Sequence, residues 1–227
     1  MRRMTFRIPV PVKHVVRRLL HRPPANARRY LRRGLSVDEF LGRLTEAGVR
    51  YAVLRWFETL PAVQPDNDID MLVADEDLAL AESMLTPYRP FRLTQKVDLY
   101  SVSGHGRTAF GGVPYFPTEL STRLLDRAVL LQGRYRVPSP RDHLDSLIFH
   151  AVHHKGEASG LPTDGAAPAT AQGGRIGATV DRLARELSVD LELSLDGLDR
   201  YLGGAGLDPA ASSRASFAAQ RRRLYGA

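Results

Sequence analysis

The chain has 227 residues, 43% of them hydrophobic, enough for a buried α/β core with a helical appendage. It contains no cysteine, which excludes disulfides and thiolate metal sites and fits a cytoplasmic setting, and no apolar run of about 18 residues that would cross a membrane as a helix. The net charge of +7 is unevenly spread: residues 1–34 hold eleven Lys and Arg and no acid, leaving 21 bases against 25 acids in the body. That body lacks the basic, aromatic-interleaved stripe that a long nucleic-acid ligand needs.

Residues 1–34 read as a basic N-terminal arm. Between prolines 9 and 11 and prolines 23 and 24, VKHVVRRLLHR fits a short helix with Val12, Val15, Val16, Leu19 and Leu20 on one side. Such an arm suits peripheral contact with an anionic membrane, a nucleic acid or a partner, and equally a solvated tail. An Arg-rich, acid-free start also fits a transit peptide, whereas Arg17 and Arg18 interrupt the apolar stretch that a secretory signal requires.

From Ser36 the pattern becomes regular. SVDEFLGRLTEAG has Ser36 and Glu39 spaced as a capping box, apolar positions at 37, 40, 41 and 44, and Gly48 past its end, which predicts a helix. YAVLRW predicts a strand, followed by a proline-containing connection, the strand IDMLV, a helix over DEDLALAESML, and two short strands, FRLTQ and VDLYSV. The order argues an α/β layer fold with a small mixed sheet over residues 35–116. Residues 117–227 read as a helical region: helices over PTELSTRLLDRAVLL and SPRDHLDSLIFHAVHHKG, a Gly/Ala/Pro/Ser/Thr-rich loop at 157–177, then helices over TVDRLARELS, LDGLDRYLGG and ASFAAQRRRL.

The chemistry concentrates in DNDIDMLV, residues 66–73. A strand projects residues i and i+2 to one face, so Asp68 and Asp70 point together while Ile69, Met71 and Val73 point into the core. Two like charges so placed require something positive beside them, and a divalent metal is one candidate. If VDLYSV lies next to IDMLV in the sheet, Asp98 joins the same site.

These residues resemble the nucleotidyltransferase superfamily, the DNA polymerase beta-like fold, and within it uncharacterised bacterial proteins in which a YxVLR strand precedes DIDLLV. Here the matching residues are Tyr51, Val53, Leu54 and Arg55, then Asp68, Ile69, Asp70, Met71, Leu72 and Val73, and the resemblance spans roughly residues 36–103. It implies a magnesium-dependent nucleotidyltransferase that moves a nucleotidyl group from an NTP to a hydroxyl of a small molecule or glycan precursor. Asp68, Asp70 and Asp98 would hold two Mg²⁺ about 3.5–4 Å apart, and Asp98 would also accept the proton of the acceptor hydroxyl. One departure stands out. Where the family has a small Gly-Ser or Gly-Gly turn, this chain has Arg55 and Trp56. Either Arg55 replaces backbone amides as a phosphate ligand, or the nucleotide site is lost and the domain serves as a scaffold or regulator.

Four histidines crowd one helix. At 100° per residue, His143, His150 and His154 share an edge beside the apolar stripe and His153 faces solvent. His150 and His154 have the i, i+4 spacing of a zinc helix but lack H-E-x-x-H, so edge hydrogen bonding or substrate contact, with Lys155, are the open readings. His105 and Arg107, in the turn SGHGR past the Asp98 strand, are further candidates for substrate and phosphate contact. Tyr115 and Phe116 read as packing between layers, and Arg221–Arg223 as a solvated helix end.

Overall fold

The computed structural model describes residues 27–64, 67–87, 94–105, 107–164 and 174–226. The strands are β1 (Arg28–Leu31), β2 (Tyr51–Val53), β3 (Ile69–Val73), β4 (Leu85–Thr86), β5 (Lys96–Ser101), β6 (Val129–Leu131) and β7 (Tyr135–Val137). The helices are α1 (Val37–Glu46), α2 (Leu78–Ser83), α3 (Thr118–Asp126), α4 (Pro140–Phe149), α5 (Gly174–Glu186), α6 (Leu195–Gly204) and α7 (Ala211–Tyr225). The result is the mixed α/β fold that the sequence pattern predicts.

Five strands form one mixed sheet in the order β2-β3-β5-β1-β4. β3 and β5 run parallel, and the other neighbours are antiparallel. Period-2 alternation divides each central strand between two cores. Ile69, Met71, Val73, Val97 and Leu99 pack with α1 and the β6–β7 hairpin. Leu72 and Tyr100, from the other face, join a second core built from α3 to α7. Asp70 and Asp98 lie on that second face, so the carboxylates point toward the helices rather than into open solvent.

Local chemistry explains the termini. Ser36 and Glu39 form the capping box, each side chain accepting a hydrogen bond from the other residue's backbone N–H. Ser139 caps α4 with Pro140 in its first turn.

Several expectations need correction. Residues 28–31 are not arm but a sheet strand, paired on both edges with β5 and β4, and both Tyr30 and Leu31 are buried, on opposite faces of the sheet. The proposed basic helix lies outside the described residues, as do residues 91–93 of the FRLTQ strand; Thr94 and Gln95 are not in a strand. The helix expected over 117–131 ends at Asp126, and Val129–Leu131 instead forms a hairpin with β7. Gln132 and Gly133 both adopt positive φ, and the Arg134 N–H donates to Leu131 O, which is the geometry of a type I′ turn. Residues 156–159 form a 3₁₀ turn and α5 already starts at Gly174, so the 157–177 segment carries structure at both ends.

α7 is held to the second core chiefly by Phe217, its one fully buried side chain, which packs edge-on against Phe149 and His154. Phe217→Ala should lower stability by about 3–5 kcal/mol, the usual range for a buried aromatic truncated to Ala, in urea unfolding followed by circular dichroism. A loss below about 1 kcal/mol would mean that α7 is not part of the core.

Candidate functional site

A cavity of about 700 Å³ opens between the carboxylate face of the sheet and the helical half, lined by Asp68, Asp70, Asp98, Arg55, Trp56, Arg107, His150, His154 and Lys155. Ten residues were expected in the site, and His105 alone among them is not in that lining. It is exposed, with its ring against Ser103, which bonds Asp75 on the outer side of the turn. The turn carries His105 away from the pocket while Arg107 reaches it.

Asp70 and Asp98 are register partners on the parallel strands β3 and β5, and Asp68 sits one pleat before Asp70. Each carboxylate already meets a protein cation. Arg28, the register partner of Asp98 on β1, places Nη2 2.6 Å from Asp68 Oδ2 and donates through Nε to Asp98 Oδ1 at 3.1 Å. Lys96 brings its ammonium 2.5 Å from Asp68 Oδ1, a charge contact without hydrogen-bond alignment. Arg55, only 8% exposed, pairs with Asp70 at 2.8 Å.

Burial pushes the Asp70 carboxyl up to about 6; Arg55 pulls it down, and Asp98 and Asp68 push it further up. Burial also opposes the charge on Arg55, but Asp70 and the neighbouring tyrosines more than compensate and its pKa lies above the usual value. Arg28 is held above its usual range by Asp98 and Asp68, against its own desolvation.

Two divalent ions do not fit the carboxylates as they stand. Among the described residues no group of three or more His, Asp or Glu is placed to hold a metal ion; the Arg28 guanidinium spans Asp68 and Asp98, and the Lys96 ammonium sits on the other oxygen of Asp68. Arg55 points at Asp70 and is committed to that pair. Trp56 adopts φ +58°, a conformation that favours glycine, and its ring lies 3.8 Å under the Arg175 guanidinium. The backbone thus makes the left-handed turn that a small residue would make easily, with a bulky residue in it.

The far wall is a chain of buried polar rings. Tyr115 stacks on Tyr100 with centroids 3.8 Å apart, and its hydroxyl lies 2.8 Å from His150 Nδ1, itself 3.3 Å from His154 Nδ1. Beyond Phe149 the helix α4 widens into a π-helical segment, His150–Lys155. With i→i+5 bonding each residue advances less than 100°, so His153, expected to face solvent, is only 4% exposed, beside Phe149 and 3.7 Å from Asp199. Arg221 reaches back from α7 and donates to His153 O at 2.6 Å, and Arg223 lines the cavity, so this arginine run is not simply a solvated end.

Sequence reasoning missed Arg28, Lys96 and Arg223. Lys96 was findable, two residues before Asp98 on the same strand face, and the other two depend on tertiary placement.

Comparison with known families, characterised proteins and solved structures gives no match, so the functional reading rests on this geometry.

Two predictions follow from burial. Arg55→Met should cost about 3–5 kcal/mol by leaving the Asp70 carboxylate buried without its cation, and much of that loss should return in Arg55→Met/Asp70→Asn; equal instability of the single and double variants in urea would refute the pairing.

The second concerns pH. Burial lowers His143 and His153 to about 4 and holds His150 and His154 well below the usual value. The unfolded chain therefore binds protons near pH 6.5 that the folded chain refuses, so this stabilisation is full above that pH and is lost as pH falls. Asp70, raised to about 6, acts oppositely between about 6 and 4, but it is one group against four. Stability should fall from pH 7 to pH 5 by roughly 1.4 kcal/mol per net proton per pH unit; a flat urea midpoint across that range would contradict neutral buried imidazoles.

Proposed function

We propose that the chain is a nucleotidyltransferase-like domain that binds a nucleotide, or a similar phosphorylated molecule, over an acidic centre neutralised by its own cations, and that it acts as a binding or regulatory domain. The observation that carries this reading is the charge arrangement of the cavity. Its three acids are already matched by Arg28, Arg55 and Lys96. Arg107, Lys155 and Arg223 also line it, and among the described residues none of the three has a carboxylate within salt-bridge distance. Cations without acidic partners around a concave, partly apolar wall suit phosphate oxygens, while the partly exposed Trp56 ring is the aromatic surface open to a base. Neutral His150 and His154 would serve as hydrogen-bonding walls rather than charges.

A second reading keeps catalysis. It is favoured by the parallel register of Asp70 with Asp98, which gathers three carboxylates as the metal-dependent transferase requires, with an NTP and a hydroxyl acceptor on a small molecule or glycan precursor. It needs Arg28 and Lys96 to withdraw from Asp68 and Asp98 first. An adaptor role for residues 1–34 rests on residues mostly outside those described.

Calorimetric titration with ATP, GTP, CTP and UTP, in EDTA and in Mg²⁺, tests the leading reading. At least one nucleotide should bind in EDTA, and Arg107→Ala, Lys155→Ala and Arg223→Ala should each weaken it roughly ten-fold, about 1.4 kcal/mol, with binding that fades as salt rises. Absence of binding by all four at millimolar concentration defeats it. Magnesium-dependent pyrophosphate release would establish the transferase instead.

A further inference from the structure

We propose that Arg28 and Lys96 take the place of a divalent ion between Asp68 and Asp98, so that this chain engages its ligand without metal and a divalent-cation site emerges only when the two side chains are removed. The inference deepens the reading of the cavity as a ligand site and rests on it.

Both cations are placed by the sheet rather than by chance side-chain reach. Arg28 is the cross-strand partner of Asp98 on β1, on the same face, and one guanidinium spans both carboxylates: 2.6 Å to Asp68 Oδ2, 3.1 Å and 3.3 Å to the two oxygens of Asp98. Lys96 precedes Asp98 by two residues, which in a strand puts both on one face, and it meets the remaining oxygen of Asp68. Two positive charges therefore stand against two negative ones, the charge that one divalent ion would supply. The carboxylate oxygens are largely enclosed, with side-chain exposures of 19% for Asp68 and 18% for Asp98, so little water remains to screen an added ion. A hard cation entering here must shed water and sit against an ammonium and a guanidinium. Asp70 gives it no refuge, because buried Arg55 holds that carboxylate.

The test is a Mn²⁺ titration of the full chain followed by electron paramagnetic resonance, without nucleotide. The parent should leave Mn²⁺ in solution, whereas Arg28→Met/Lys96→Met should bind it at least ten-fold more tightly, and adding Asp98→Asn to the double variant should abolish the gain. Circular dichroism and cooperative urea unfolding check that each variant folds; should the double variant fail, Arg28→Gln, which keeps a neutral donor on β1, carries the test with the same expected direction. Mn²⁺ binding by the parent as tight as by the variants overturns the proposal, and so does a folded variant that gains none. Since no nucleotide is present, failure of nucleotide binding would overturn the functional reading without altering this result. Nucleotide binding by the parent that requires Mg²⁺ would do the reverse, sustaining the ligand site and sinking the substitution.

Discussion

Neutralisation of three carboxylates on the inner face of a sheet is the constraint around which this molecule is arranged. Unpaired charges on adjacent positions of one sheet face in an enclosed site would each face a desolvation cost of several kcal/mol, and their mutual repulsion would add to it. The fold meets that demand with three cations supplied from three different places in the chain: Arg28 on β1, shared by Asp68 and Asp98, Arg55 just after β2 on Asp70, and Lys96 on β5 on Asp68. Because Asp70 and Asp98 are fixed in register by the parallel β3–β5 pairing, the cations cannot be placed loosely. The outcome is a cavity whose floor is close to electrically neutral and whose remaining charge, from Arg107, Lys155 and Arg223, is positive.

The helical half answers a different problem, the housing of four imidazoles in an apolar core. The π-helical widening after Phe149 brings His150, His153 and His154 all to the buried side, where an α-helix would have turned His153 outward. Aromatic rings take up their faces, as with Phe149 and Phe217 around His153 and His154, and kept neutral the imidazoles carry no desolvated charge. The last turn of any helix leaves its carbonyls without helical partners, and Arg221 from α7 meets those of Val152 and His153. The same helix that covers the histidines with Phe217 also brings Arg223 to the cavity, so closing the core and charging the pocket are one packing event.

How much of this was legible in the sequence depended on how local its cause was. The capping box at Ser36, the alternation in IDMLV and the placing of Asp68 and Asp70 on one face follow from short-range periodicity and appear as expected, whereas Asp98 joins them only through the β3–β5 pairing, which the sequence left conditional. β6 and β7 were missed although Gln132-Gly133 between VLL and YRV is a local turn signal; the apolar run there fits a helix equally well until the turn is noticed. Arg28 was out of reach, because its role comes from the pairing of β1 with β5 across 70 residues, and composition had marked its neighbourhood as a charged arm. His153 was misplaced for a physical reason as well: helical-wheel reasoning assumes 100° per residue, and the segment does not keep that period.

β1 ties these threads together. It is a four-residue strand whose Tyr30 and Leu31 enter the core while Arg28 crosses to Asp98 and Asp68. It also bridges β5 and β4, so without it β4 would lose its one partner strand among the described residues. Completing the sheet and compensating the acidic centre are therefore the same structural act, and a site whose cation is built into an interior strand cannot exchange that cation without disturbing the strand. A bound metal is set by solution conditions; an arginine in a strand is set by folding. If Arg28 occupies the ion's place, the charge state of the cavity is decided when the sheet forms, and it no longer follows the supply of divalent ions.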